Sequence, residues 1–179
     1  MLKDFTIANL LDLNETIAGE LFEGKTYPWE ALPKISDFIK KLGPTLDPEV
    51  YEQRGENIWV AKSATVAPTA FLNGPLIIDE DAEIRHCAFI RGNAIVGKGS
   101  VVGNSTELKN VVIFNSVQVP HYNYVGDSIL GYKSQLHQYL ADSFISMLFL
   151  IRKSLSDLLC SDIPFIFQDF SNSQIRSHF

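Results

Sequence analysis

The sequence is short of cysteine, of positive charge and of long apolar runs, and each shortage excludes something. Two cysteines, Cys87 and Cys160, stand 73 positions apart in 179 residues. Such a pair makes neither a metal-ligand spacing nor a disulfide scaffold, so a reducing cytoplasm is the expected compartment. Lys and Arg total 15 against 21 Asp and Glu, a net charge of −6. A broad nucleic-acid footprint needs a basic face, and this composition argues against one while leaving room for a small phosphate pocket. The longest apolar stretch, residues 147–151, is far short of the ~20 residues of a membrane span. The amino end meets Lys3 and Asp4 at once, which gives no h-region and leads us to expect no signal peptide. No Ser/His/Asp array and no cluster of metal ligands is visible. Hydrophobic residues, by contrast, make up 46%, enough to fill a core in a chain of about one domain.

Those apolar residues are ordered in sixes. Val60, Val66, Leu72, Ile78, Ile84, Ile90, Val96, Val102, Leu108 and Phe114 follow one another at intervals of six, a run that chance gives roughly once in two thousand trials at this composition. Four residues after each comes a second register, Ala64, Ala70, Leu76, Ala82, Ala88, Ala94, Ser100, Thr106, Val112 and Gln118, in which small residues dominate. Neither the 3.6-residue period of a helix nor the two-residue period of a strand fits. A parallel β-helix does: each hexad is a short strand plus a corner, the aliphatic side chain points inward, and the small residue turns in beside the corner. Three hexads close one triangular coil of 18 residues, and coils stack at strand spacing, about 4.8 Å. Ten hexads make about three and a third coils, and both ends of such a stack need covering.

Residues 58–134 carry this pattern and the flanks do not. Residues 1–57 read as a helical cap over the first coil. Asn14 can cap a helix over 15–22 that ends at Gly24. A second helix, entered through Tyr27-Pro28-Trp29 and stopped by Gly43-Pro44, puts Leu32, Ile35, Phe38, Ile39 and Leu42 on one face. Asp47 can cap a third over 48–53. Beyond Val102 and Leu108 the six-residue phase breaks: Pro120 takes an aliphatic slot, and Tyr124, Leu130 and Leu136 resume out of step, so residues 120–123 read as a loop inserted at one corner. Residues 135–179 form a helical tail with an apolar stripe from Leu136 to Leu159. That tail is either an evolved cap or the product of a shifted reading frame.

Candidate chemistry follows from the grid. Arg91 and Lys109 are 18 apart, and each follows an inward aliphatic, so both point outward one coil apart. Two cations about 5 Å apart repel by about 1 kcal/mol or more near a surface, a repulsion that a phosphate relieves and that Glu107 can also neutralise. His121 begins the expected loop, where an imidazole suits general-base work near neutrality, with Asp127 near enough in sequence to orient it. His86, His137 and His178 read as structural or neutral. Gly97-Lys98-Gly99 with Gly103 imitates a nucleotide-binding loop but lacks the strand–turn–helix context such a loop needs.

These hexads resemble the bacterial hexapeptide-repeat transferases of left-handed β-helix fold. Arg91-Gly92-Asn93-Ala94, the run from Val102 to Asn110, and Val119-Pro120-His121-Tyr122-Asn123-Tyr124-Val125-Gly126-Asp127-Ser128 are similar to the acetyltransferase half of one group within them. That group is the bifunctional N-acetylglucosamine-1-phosphate uridyltransferase/glucosamine-1-phosphate acetyltransferase, with its archaeal sugar-1-phosphate nucleotidylyltransferase relatives. The resemblance implies a left-handed winding, a homotrimer, a sugar phosphate or nucleotide sugar as ligand, and acetyl-CoA as acyl donor. It implies phosphate-binding roles for Arg91, Lys109 and Tyr124, and a general-base role for His121. Two departures stand beside it. Residues 1–57 show no uridyltransferase signature, and after Ser134 the glycine–alanine–glycine coil that holds acetyl-CoA is missing. Catalytically incomplete binding of a sugar phosphate or nucleotide sugar, the acyl-donor coils being missing, is therefore the alternative reading.

Overall fold

The computed structural model describes residues 2–136. Its body is a β-solenoid of about four turns, built from strands of two to seven residues. One stack runs β2 (Ile58–Ala61), β5 (Leu76–Ile78), β8 (Ala94–Val96), the end of β10 (Glu107–Ile113) and the end of β12 (Tyr124–Leu130). A second holds β3 (Thr65–Val66), β6 (Glu83–Ile84), β9 (Val101–Val102) and β11 (Gln118–Val119). The third holds β4 (Phe71–Leu72), β7 (Phe89–Ile90) and the first halves of β10 and β12. Pairing within every stack is parallel. The inward aliphatics make the core: Val60, Ile78, Ile84, Ile90, Val96, Val102 and Leu108 are fully buried. Most of the small register is buried too, Ala70 being half-buried and Gln118 exposed, and its buried polar members close hydrogen bonds inside. Ser100 Oγ donates to the Phe114 carbonyl at 2.7 Å, and Thr106 Oγ1 to that of Pro120 at 2.9 Å.

The phase break has a different origin from the expected insertion. Leu76 pairs with Ala94, 18 residues on, but Ala94 pairs with Val111 and Val111 with Ser128, each 17 on. One residue is missing at the corner where Asn110 replaces the pair Gly92-Asn93, and one again at Asp127. The inward residues are therefore Ile113 rather than Phe114, and Val119 and Val125 rather than Pro120 and Tyr124, while Leu130 stays on the core column. Residues 120–123 form an ordinary corner of the same length as residues 103–106. They stack on the corner below, with the Tyr122 amide donating to the Asn104 carbonyl at 2.9 Å. Left-handed residues recur where coils turn: Asp81, Gly99, Ser116 and Lys133 on one edge, Cys87, Ser105 and Tyr122 on the next, Asn93, Asn110 and Asp127 on the third. Gly103, by contrast, is needed for closeness: a Cβ there would collide with the backbone of Pro120 and His121 in the next coil.

The amino-terminal segment does not sit over the first coil. It runs lengthwise down the β2–β5–β8–β10–β12 face, from the last coil to the first. Leu11 meets Gly131, Glu15 accepts from Asn115 Nδ2 at 3.2 Å, and Phe22 packs on Phe114 with ring centroids 5.8 Å apart. The 3₁₀ stretch Pro28–Lys34 lies against β12. It leads into a helix, Ile35–Leu42, that lies on β5, β8 and β10, after which Gly43 abuts the Trp59 ring. This cover explains why β5 and β8 are apolar on both sides: Ile77 and Ile95 point outward and are nonetheless fully buried.

Locally the segment is more broken than expected. Asp12, not Asn14, supplies the cap, and 15–22 divides into the short turns Leu13–Glu15 and Gly19–Phe22. The helix expected over 48–53 is replaced by β1 (Tyr51–Gly55), which pairs antiparallel with β2 through a tight turn at Asn57. Tyr51 Oη donates to the buried carboxylate of Asp79, which also accepts from the Glu80 amide at 2.7 Å. Burial, and then the carboxylate beside it, push the Tyr51 phenol well above its ordinary range. The tail helix expected over 136–159 falls, but for its first residue, outside the described residues.

Candidate functional site

The third stack presents two outward columns, side by side. One runs Phe71, Phe89, Glu107, Tyr124; the other runs Asn73, Arg91, Lys109, Gly126. In each strand the outward residues flank the inward aliphatic, which is why Arg91 and Lys109 fall in one column. The stacking places them one coil apart, as their spacing predicts. Both cations are paired. Arg91 Nη1 lies 2.8 Å from Glu107 Oε1, and Lys109 Nζ lies 3.4 Å from Asp127 Oδ2. Asp127 is anchored from its other oxygen by Asn110 Nδ2 at 2.8 Å. Glu107 Oε1 is itself buried, and no hydrogen-bond donor among the described residues is aligned on it. All four side chains of these pairs are about a third exposed or more, so each pair contributes at most about 1 kcal/mol and is open to exchange.

Tyr124 is 59% exposed, and its ring folds back over Gly126, where a Cβ would strike it. A tyrosine thus closes the column above Lys109. At the preceding corner His121 is exposed, its ring 5.3 Å from that of Tyr122 in an edge-on arrangement. The corner carrying His121 leads directly into the strand carrying Tyr124. Asp127 does not orient the imidazole: it lies on another edge of the prism, engaged by Lys109 and Asn110. Asn123, also on the His121 corner, is buried and turns its amide inward to the carbonyls of Pro120 and His121 at 2.8 and 2.9 Å, which fixes the backbone there. His86, with Nδ1 2.9 Å from Thr69 Oγ1, is part of the same corner stack two coils down.

Sequence reasoning did not single out Phe71 and Phe89. They occupy the column next to Arg91, edge to face with centroids 5.6 Å apart, and Phe71 is 63% exposed. The available signal was their place one residue before an inward aliphatic, where Glu83 and Glu107 are polar.

Residues 72–145 match the family model described as the GMPPB C-terminal domain, a span that holds every residue just described except Phe71 and Thr69. It also runs past Ser134, where the sequence resemblance was expected to stop. The bifunctional protein GlmU of Methanococcus maripaludis is 32% identical over 107 residues, covering 59% of this chain and 26% of the relative. The same-named protein of Methanococcus vannielii is 33% identical over 106 residues, 58% of this chain and 26% of the relative. That of Methanocaldococcus jannaschii is 43% identical over 44 residues, 25% of this chain and 11% of the relative. The solenoid is homologous to bifunctional GlmU. It has a family relationship with the sugar nucleotidyltransferases and acetyltransferases. The chain spans about a quarter of the length of the first GlmU proteins it matches. No helix among the described residues is long and apolar enough to cross a membrane.

Proposed function

We propose that this GlmU-like solenoid recognises a sugar phosphate on the strip formed by Arg91, Lys109 and Tyr124, with His121 as general base for acyl transfer to an amino-sugar 1-phosphate. The observation that carries the reading is the stacked pair of outward cations, each held by one exchangeable carboxylate. A phosphate dianion between them offers two charges and three acceptor oxygens where each carboxylate offers one charge. Charge-assisted contacts of that kind are roughly twice as strong as neutral ones. The Tyr124 hydroxyl adds a donor from the coil above. In the transfer step the sugar amine attacks the acyl carbon of a thioester, the C–S bond breaks, and the amine proton passes to His121 and on to the departing sulfur. Acetyl-CoA is the donor that the resemblance implies. We propose, on the same resemblance, a left-handed winding, a homotrimer and a cytoplasmic location. Two faces of the prism are open for trimer contacts among the described residues, the third being covered by the chain's own first 45 residues.

A second reading is favoured by one observation. Asp127 holds Lys109 and Asn110, so the carboxylate expected to orient His121 is engaged elsewhere. On that reading the chain binds a sugar phosphate and transfers nothing.

Calorimetry with glucosamine 1-phosphate and with acetyl-CoA, each alone, separates the two. Lys109→Ala weakens the sugar phosphate by about 1.5–3 kcal/mol, the range for hydrogen bonds to charged groups, and leaves phosphate-free glucosamine unaffected. His121→Ala keeps sugar-phosphate binding and lowers transfer by about 10²–10⁴-fold. Equal loss of both sugars in Lys109→Ala refutes the phosphate role. Binding of the sugar phosphate with no transfer from a folded sample establishes the second reading over the first.

A further inference from the structure

The corner that carries His121 departs from the corners stacked beneath it. Its turn position is held by Thr69, Cys87 and Ser105 in the three lower coils and by Tyr122 here. Its inward position is held by Ala70, Ala88 and Thr106 below and by Asn123 here. Cys87, Ser105 and Tyr122 share a left-handed backbone, with φ of 58°, 54° and 56°. A bulky side chain in that region is an outlier, and such outliers cluster where a site needs them. Nor does Tyr122 fill the core, being 65% exposed. What its ring meets is the imidazole of His121, with 5.3 Å between centroids and 85° between planes. The backbone beneath is fixed separately. Asn123 donates to the carbonyls of Pro120 and His121, and the Tyr122 amide donates to that of Asn104. The main chain of His121 is thus held from within and its ring from outside.

We infer that Tyr122 is the positioning residue of His121, aiming the imidazole by ring contact where many sites use a carboxylate. Asp127, expected in that role, is engaged by Lys109 and Asn110. The inference rests on the general-base reading of His121 and adds the residue that aims it. A general base acts only within hydrogen-bond reach of the proton it takes. An imidazole on an exposed corner therefore loses rate in proportion to the time it spends turned away. An edge-on ring pair favours one orientation by a factor of about 2 to 12. A carboxylate would occupy one ring nitrogen, whereas a ring contact leaves both open to the substrate amine and to water. The contact needs the aromatic ring of Tyr122 and not its hydroxyl.

The test measures acetyl transfer from acetyl-CoA to glucosamine 1-phosphate by the full chain, with Tyr122→Phe and Tyr122→Ala beside the parent. Because Tyr122 is exposed, both variants keep the fold, which circular dichroism checks. Tyr122→Ala is expected to lower kcat about 2- to 12-fold with KM for the sugar phosphate unchanged. Tyr122→Phe is expected to keep the parent rate. In proton spectra the His121 ring signals are expected to carry the ring-current shift of residue 122 in the parent and in Tyr122→Phe, and to lose it in Tyr122→Ala. If Tyr122→Ala keeps the parent kcat, if Tyr122→Phe falls with it, or if the loss lies in KM, this inference is overturned while the base role of His121, tested by His121→Ala, stands. If the folded parent binds the sugar phosphate and transfers nothing, or if His121→Ala transfers as well as the parent, the base role falls and this inference with it. If Tyr122→Ala changes only sedimentation, the ring is a contact between copies of the chain and the inference is overturned.

Discussion

Replacing Phe22 by alanine tests whether the amino-terminal segment is part of the core or an appendage. Phe22 is 2% exposed, and its ring meets the fully buried ring of Phe114 at 5.8 Å and 62°. Truncating a buried phenylalanine costs about 3–5 kcal/mol in transfer and cavity terms, of which the edge-on ring pair accounts for about 0.5–1.5 kcal/mol. At a urea slope near 2 kcal/mol per molar, the unfolding midpoint falls by about 2 M. Phe114→Ala is expected to cost a similar amount, and the double variant less than the sum, by the worth of the ring pair. Urea unfolding followed by far-ultraviolet circular dichroism, with all four members of the cycle, measures both quantities. The reasoning fails if Phe22→Ala costs under about 1 kcal/mol and the two changes add to within about 0.3–0.5 kcal/mol. That result means the segment does not share the solenoid's cooperative unit.

Two further outcomes follow from particular contacts. The Tyr51 phenol is held above its ordinary value of 10.0, first by burial and then by Asp79. Because the folded state raises this group, its contribution to stability is complete below about pH 10 and declines as the pH climbs beyond, and Tyr51→Phe is expected to flatten that alkaline slope in pH-dependent thermal melts; an unchanged slope refutes the assignment. Gly103→Ala puts a methyl group into the backbone of Pro120 and His121, and overpacking of this kind typically costs about 1–3 kcal/mol; chemical-shift changes centred on His121 and Tyr122 are the check, and a neutral substitution counts against coil-on-coil closeness at that corner.

Much of the solenoid was legible because its code is strict. An aliphatic at Val60, Val66, Leu72 and onward has one physical meaning when repeated every six residues, and the outward placement of Arg91 and Lys109 followed from the same arithmetic. The misreading past Leu108 came from corners, not strands. Dropping one residue at Asn110 shifts the phase by one and leaves every strand intact, and Phe114 in the next slot, itself buried, hid the shift. Val119 and Val125 would have kept the register had a 17-residue coil been allowed. The course of residues 5–45 was illegible in outline because short 3₁₀ turns leave no long periodic stripe. Its destination, though, was written in the strands: Leu76-Ile77-Ile78, Ala94-Ile95-Val96 and Val111-Val112-Ile113 are apolar at every position, and a strand buried on one side alone has no use for its middle residue. The carboxylates of Glu107 and Asp127 were legible in part. Glu107 neighbours Arg91 on the coil grid, and Asp127, 18 residues after Lys109, already falls over it on the uncorrected grid; what that grid hides is that the shortened coil sets Asp127 over Asn110, which holds it from its other oxygen.

The course of the amino-terminal segment also sets the order in which the molecule can be completed during synthesis. Residues made earlier rest on coils made much later: Glu15 and Asn115 are separated by 100 positions along the chain. Until the ribosome has delivered β10 and β12, Leu11, Phe22 and Ile35 have only part of their seat, and the outward faces of Ile77 and Ile95 stand open to water. Coils can stack as they emerge, each on its predecessor, but the segment docks fully only when the last described turn is in place. Contacts of such long sequence separation slow folding because loop closure is spent before they reward it. Between the synthesis of this segment and that of β12 the nascent chain therefore carries an unfinished apolar face, a state open to chaperones and to aggregation, and one that ends when the segment closes over the last described coil.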